Sequence, residues 1–403
     1  MDNPGGTADP DHEVADQYAR ARLARISRPN VAEVDLGIIR RNTAAIKRLA
    51  GTGTFMFGAV KRNGYGLGLP EVAQAMIAGG VDGFTLADPG DAVRIRAAGI
   101  KSPILLYAGV MPSPDTVDGL RELNLMSTIT DADSARAFDA AVSISDPISV
   151  FVKVDVGLER LGVYPEDAGR LIRFVERLPG LKLEGVYTHL HGSADAAYLR
   201  WQLDRFGRFL TAAEEDGIEV PVRMAESSAS LGLGWHGPTN AVDPGHLLYG
   251  ILPPGRTDLP EGVQPALRSL KSVLVAVKDI RRAEYINEAP IALRERMRVG
   301  IIPVGRGDGL HRLTSGQVRI RGKLAPILGR MSLEHTRVDV TDIPGCALGD
   351  EVEIIDGNPI GRISYGEVAA CNGLDAVGLL LEIRASINRK YIWSEDETDA
   401  SRR

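Results

Sequence analysis

The chain has 403 residues, 44% of them hydrophobic and 25% charged, an ordinary folded composition long enough for a barrel plus a smaller domain. Its net charge of -6 and its lack of a basic run argue against nucleic acid or an anionic membrane as partner. No apolar stretch approaches a membrane span, no signal-peptide pattern opens the chain, and Cys346 and Cys371 make neither a disulfide framework nor a metal cluster, so a cytoplasmic protein without a metal is expected.

Residues 1–28 are polar and read as a flexible arm. Strand and helix patterns then alternate. Strands are expected at 31–36, 54–60, 81–87, 103–109, 125–129, 148–156, 183–189 and 222–225, and helices at 38–49, 70–77, 91–98, 134–142, 166–178 and 196–216. Eight or so such units over residues 29–255 predict the α/β class, a TIM-like (β/α)8 barrel. An open doubly wound sheet is the alternative, but no Gly-rich dinucleotide fingerprint follows the first strand. After Pro253-Pro254-Gly255 short strands dominate, at 273–280, 299–304, 317–320, 336–340 and 351–355, giving a mainly β domain over 256–391 and a tail at 392–403.

The strand at 54–60 runs into Lys61-Arg62-Asn63-Gly64-Tyr65-Gly66-Leu67-Gly68. It would deliver a lysine to the C-terminal end of an apolar strand, where α/β folds bind ligands and where desolvation favours a free amine. A lysine that snorkels from a strand end reads the same way from this segment alone. The stretch resembles the A-V-x-K-x-N-x-Y-G-x-G signature of the alanine racemase family of pyridoxal-phosphate enzymes. That resemblance runs from about Pro29 to Tyr391. It implies a barrel with a mainly β C-terminal domain, Lys61 as carrier of pyridoxal 5'-phosphate and base on one face of the amino acid, and Tyr65 on the phosphate. It also implies a homodimer in which the partner's β domain completes each site.

Four further stretches extend the resemblance. In Lys153-Val154-Asp155-Val156-Gly157-Leu158-Glu159-Arg160, Arg160 would lie beside the cofactor's phenolic oxygen, and Lys153 matches a lysine that some relatives carry as a carbamate; a Lys153–Asp155 salt bridge is the simpler alternative. His189, in Tyr187-Thr188-His189, would pack against the ring, with His191 as a second polar group. Ser227 would bind phosphate. In Val242-Asp243-Pro244-Gly245-His246-Leu247-Leu248-Tyr249-Gly250, the backbone N–H groups of Gly245 and His246 would face the phosphate, with Tyr249 in the motif's tyrosine position.

The departures point away from alanine. The family's arginine at the pyridine nitrogen is Asp243 here, a carboxylate that would hold that nitrogen protonated unless it caps the following helix. The region of the family's second base reads Glu284-Tyr285-Ile286-Asn287 and lacks Gly-Arg-Thr, so Tyr285 and His335 are both candidates. Arg306 replaces a tyrosine at the mouth. The expectation is an amino-acid racemase or epimerase with a non-alanine substrate. The alternative is a retro-aldol or hydroxymethyl-transfer enzyme that uses the protonated ring.

Overall fold

The computed structural model describes residues 28–107, 109–142, 146–192, 194–231, 235, 237–256, 258–280, 296–310, 316–358 and 360–395. The first strand, β1 (Val31–Asp35), has Glu33 half-buried between the buried Ala32 and Val34. Barrel strands are covered on both faces, and β1 is not one of them. It was expected to open the barrel; its alternating burial explains why it does not.

Eight parallel strands close the barrel in chain order: β2 (Phe55–Ala59), β3 (Gly83–Leu86), β4 (Ile104–Leu106), β5 (Leu125–Ile129), β6 (Ile148–Lys153), β7 (Leu181–Tyr187), β8 (Val222–Glu226) and β9 (Ala241–Val242). Closure comes from β9 against β2, with Phe55 opposite Ala241 and Met56 opposite Val242. Every residue of β3 and β4 is buried, as expected of strands enclosed on both sides. Phe57, Leu105, Phe151, Tyr187, Met224 and Ala241 fill the interior, so the barrel is a packed core and its chemistry is confined to its mouth. Phe57 and Phe151 meet edge to face, with centroids 6.3 Å apart.

Helices Leu36–Ala50, Leu69–Ala78, Pro89–Ala97, Ala132–Ala141, Pro165–Val175 and Ala196–Glu215 lie where sequence periodicity puts them. Their starts carry acceptor caps at Asp35, Asp88, Asp131 and Asp195. One more helix, Pro114–Glu122, follows the Ser113 cap and has Pro114 in its first turn, a start signal that its short apolar face had hidden.

Two compact units divide the chain. One holds Ala32–Ser269 and Ile355–Ile383, including helices Tyr365–Cys371 and Ala376–Glu382. The other holds Leu270–Ile354 and Arg384–Asn388 and is mainly β. The strand expected over 273–280 is two, β10 (Leu267–Val273) and β11 (Ala276–Asp279). In the β unit, β12 (Arg298–Ile302) pairs antiparallel with β11 and with β15 (Thr336–Asp339). The hairpin of β13 (Gln317–Ile320) and β14 (Lys323–Pro326) turns through Arg321 and Gly322 at φ 49° and 76°, the positive pair that a type I′ turn requires. No helix among the described residues is long and apolar enough to cross a membrane.

Candidate active site

Beyond β2 the backbone turns the wrong way for L-residues. Arg62, Asn63, Gly64 and Tyr65 have φ of 51°, 58°, 61° and 52°, a left-handed turn that costs on the order of 1 kcal/mol for each non-glycine residue. The surroundings impose it. The Asn63 side chain accepts from Leu69 N–H at 3.0 Å, and Asn63 N–H donates to Asp91 at 3.3 Å. Gly66 N–H donates to the Arg62 carbonyl, and a Cβ on Gly66 would come within 2.4 Å of the Leu380 carbonyl oxygen. Held strain of this kind fixes what precedes it. Lys61 Nζ lies 5.6 Å from the centroid of the Tyr107 ring. Burial disfavours its ammonium, Arg160 adds to that and Asp243 opposes it, so the Lys61 pKa is lowered.

Lys153 ends β6 and is 5% exposed, with Nζ 5.0 Å above the Tyr187 ring. Burial first, then Arg160, brings its pKa down to about 8 against the pull of Asp243 and Asp155. No ion pair joins it to Asp155 among the described residues, where that carboxylate serves the backbone of the next loop. Asp155 accepts from the N–H groups of Gly157, Leu158, Glu159 and Arg160 at 2.8–3.2 Å. Burial raises the Asp155 pKa, the four donors outweigh it, and the net shift is downward. The clasp sets the loop that carries Arg160, which is itself exposed.

His189 follows β7 and is driven down to about 3 by burial, then by Lys61, Lys153, Arg160 and His191, so its imidazole is neutral. His191 is exposed. The chain then returns with Asp243 directly after β9. Asp243 is 5% exposed, and its Oδ2 accepts a short hydrogen bond from the Tyr107 hydroxyl. It does not cap the following turn. Burial pushes its pKa up to about 6, although Tyr107, Lys61 and Lys153 all pull it down.

The segment after Asp243 corrects one expectation. Gly245 N–H donates to Ser228 Oγ at 2.9 Å, and Leu247 N–H donates to the same oxygen at 3.2 Å. Gly245 N–H is therefore committed within the protein. The His246 N–H opens the short 3₁₀ turn His246–Tyr249. Ser228, next to the expected Ser227, is the buried hydroxyl that holds this turn in place, while Ser227 is half-buried. Gly245 is required sterically, since a Cβ there would lie 2.6 Å from the Tyr65 hydroxyl. Tyr65 packs on Tyr249 with centroids 4.6 Å apart and on His246 at 6.0 Å, and Tyr249 donates to the Ala59 carbonyl at 3.0 Å.

One mouth thus gathers Lys61, Tyr65, Lys153, Arg160, His189, Asp243, Gly245, His246 and Tyr249. Lys61, Lys153 and Arg160 act against the charged form of one another or of His189, while Asp243 opposes them at Lys61 and Lys153 and Asp155 does so at Lys153. Arg160 and Lys153 at this mouth suit an anionic ligand, and the donor set fits a phosphate ester of pyridoxal. Two aromatic members, Tyr107 and Tyr187, were not expected; strand-end aromatics read as core in a sequence. In the β unit, Arg306 and His335 are both exposed. Their turns interlock, with Arg306 N–H donating to the Ser332 carbonyl and Ser332 N–H to the His335 carbonyl. Tyr285 lies outside the described residues.

Comparison with known proteins decides the family. Residues 34–253 match the model of the alanine racemase N-terminal domain, and residues 267–391 match that of the C-terminal domain. The chain belongs to the alanine racemase family. These enzymes are pyridoxal-phosphate-dependent isomerases. An alanine racemase of Desulfovibrio desulfuricans is 34% identical over 377 residues, covering 92% of this chain and all of that one. One from Sorangium cellulosum is 33% identical, covering 90% and 99%. Among solved structures, an alanine racemase from E. faecalis superposes with a TM-score of 0.83 at 29% identity, covering 91% of this chain and 98% of the other. One from Pseudomonas aeruginosa gives 0.79 at 29% identity, covering 91% and 99%.

Proposed function

We propose that this member of the family is a pyridoxal-phosphate-dependent racemase or epimerase of an amino acid other than alanine, working as a cytoplasmic homodimer with shared sites. The observation that carries the reading is Asp243, a buried carboxylate at the barrel mouth between Tyr107, Lys61 and Lys153, where the family pattern has an arginine. Lys61 would hold the cofactor. Tyr65, Ser227 and the His246 N–H would hold its phosphate, Arg160 its phenolic oxygen, and neutral His189 the ring face. Bound pyridoxal phosphate supplies an electron sink for the pair left on the α-carbon when its proton departs.

The residues then divide the remaining work. The Lys61 amine, whose charged form is disfavoured by burial and by Arg160, takes or returns the α-proton on one face. Asp243 would hold a proton on the ring nitrogen, which strengthens the sink. Inversion needs a second proton donor on the opposite face, and Tyr285 or His335 of the partner would supply it. Arg306 adds a guanidinium suited to a side chain more polar than a methyl group.

The same Asp243 supports a second reading, cleavage or transfer at a carbon–carbon bond. That chemistry needs a strong sink and a single face. One experiment separates the two. The loaded protein is incubated in deuterated water with a panel of amino acids, then read by chiral chromatography and α-proton NMR. Exchange with inversion of a polar amino acid, well above that of alanine, is the expected outcome. Alanine as the best substrate sinks the non-alanine assignment. Aldehyde release without inversion selects the lyase or transferase.

A further inference from the structure

We propose that Tyr107 is a positioning residue for Asp243: its hydroxyl engages Oδ2 and leaves Oδ1 without a side-chain partner among the described residues, to accept a hydrogen bond from the protonated ring nitrogen of the cofactor. The inference rests on the reading of Asp243 given above and deepens it.

Geometry carries it. Tyr107 stands directly after β4, and its N–H donates to the Leu86 carbonyl at 2.8 Å. Its ring packs on Tyr187 with centroids 5.4 Å apart and an interplanar angle of 31°, and it abuts the barrel-core cluster. Lys61 Nζ faces the same ring. The phenol is thus fixed across the barrel from β9. Asp243 is fixed from its own side, where its N–H donates to the Glu226 carbonyl at 2.9 Å. No second side chain bonds Asp243 among the described residues.

The charges agree with that geometry. The groups that face Asp243 are Tyr107 from β4, Lys61 from β2, Lys153 from β6 and Tyr65 from the left-handed turn. Burial, and then Asp243 itself, hold the Tyr107 hydroxyl far above its usual pKa, so it remains a donor at every working pH. Its hydrogen bond favours the ionised carboxylate against a burial that favours the acid. Without that bond the carboxyl would keep its own proton to higher pH and would be less available to accept a hydrogen bond from a protonated ring nitrogen.

The test is spectroscopic. Cofactor-free protein labelled with carbon-13 at aspartate carboxyls is titrated by NMR, the Asp243 signal being the one missing from Asp243→Asn. Tyr107→Phe is expected to raise the Asp243 midpoint by about one pH unit, a tenfold change in proton affinity. An unchanged midpoint overturns the proposal. The protein is then loaded with pyridoxal phosphate carrying nitrogen-15 in its ring. A protonated nitrogen is expected in the unsubstituted protein, with a partly unprotonated one in Tyr107→Phe at the same pH. An unprotonated nitrogen in the unsubstituted protein, beside a midpoint that still moves, overturns the proposal through the failure of the Asp243 reading; the carboxyl titration tells that failure from the first. Should Tyr107→Phe not fold, the unsubstituted protein gives its own answer. Its Tyr107 hydroxyl proton is expected as a low-field signal lost in Asp243→Asn, and absence of that signal overturns the proposal.

Discussion

Lys61 and Glu226 show how burial acts on single groups with opposite consequences. For Lys61, burial disfavours the ammonium form, and Lys61→Ala should abolish cofactor attachment and lower the rate by at least about a thousandfold. Absorbance of the loaded variant checks this: a cofactor spectrum like that of the unsubstituted protein would displace Lys61 from its role. Glu226 ends β8, and burial pushes its pKa up to about 7. A raised carboxyl contributes stability in full below its ordinary pKa and loses it as pH rises through about 7. Glu226→Gln should therefore raise Tm at pH 8 and change it little at pH 5, which thermal unfolding at the two pH values would show. An equal change at both would mean that the group is not desolvated. Residue identity at this scale was only partly legible in the sequence. Lys61, Tyr65 and Asp243 stand in motif positions. Ser228 does not, since neighbouring serines differ only in which way the backbone aims them, and Tyr107 resembles any core aromatic until barrel closure brings its hydroxyl to Asp243.

Elements decide how firmly those residues are held. The loop after β6 depends on one carboxylate that collects four backbone N–H groups, and Asp155→Ala would leave all four without it. Net hydrogen bonds to a charged group suggest a loss of roughly 2–4 kcal/mol in urea unfolding. Arg160 would be released with the loop, so cofactor affinity should fall as well. A variant as stable as the parent would show that water replaces the clasp without cost. The left-handed turn after β2 is a sharper case. Gly66→Ala puts a methyl against the Leu380 carbonyl at a φ of 81°, and loss of cofactor binding should accompany a lower Tm. The turn was legible only as a Gly-rich stretch, because five successive positive φ values, from Arg62 to Gly66, follow from contacts with Asp91 and Leu380, far along the chain. The barrel strands β2, β3 and β4 were legible because their sequences run apolar and are largely buried, whereas the two-residue β9 was not expected. For β1 the same short apolar run did not say which sheet would take it.

At the scale of the whole molecule, net charge and local charge part company. A chain of net charge -6 assembles a mouth in which Lys61, Lys153 and Arg160 act on one another, because the topology gathers strand ends that are far apart in sequence. Arg306 and His335 belong to the other compact unit, on interlocked exposed turns, and no described residue of that unit satisfies either as a buried group would be satisfied. If a partner's β unit completes each site, the two halves can be broken in different subunits. Lys61→Ala and Arg306→Ala are each expected to be nearly inactive. Unfolded together and refolded as a mixture, about half the dimers would be hybrids with one intact site of two, and activity should return to about one quarter of the parent's. No recovery, with mixed dimers demonstrated by mass, would place both residues in the same subunit's site. A fully active monomer by sedimentation would remove the need for a partner altogether.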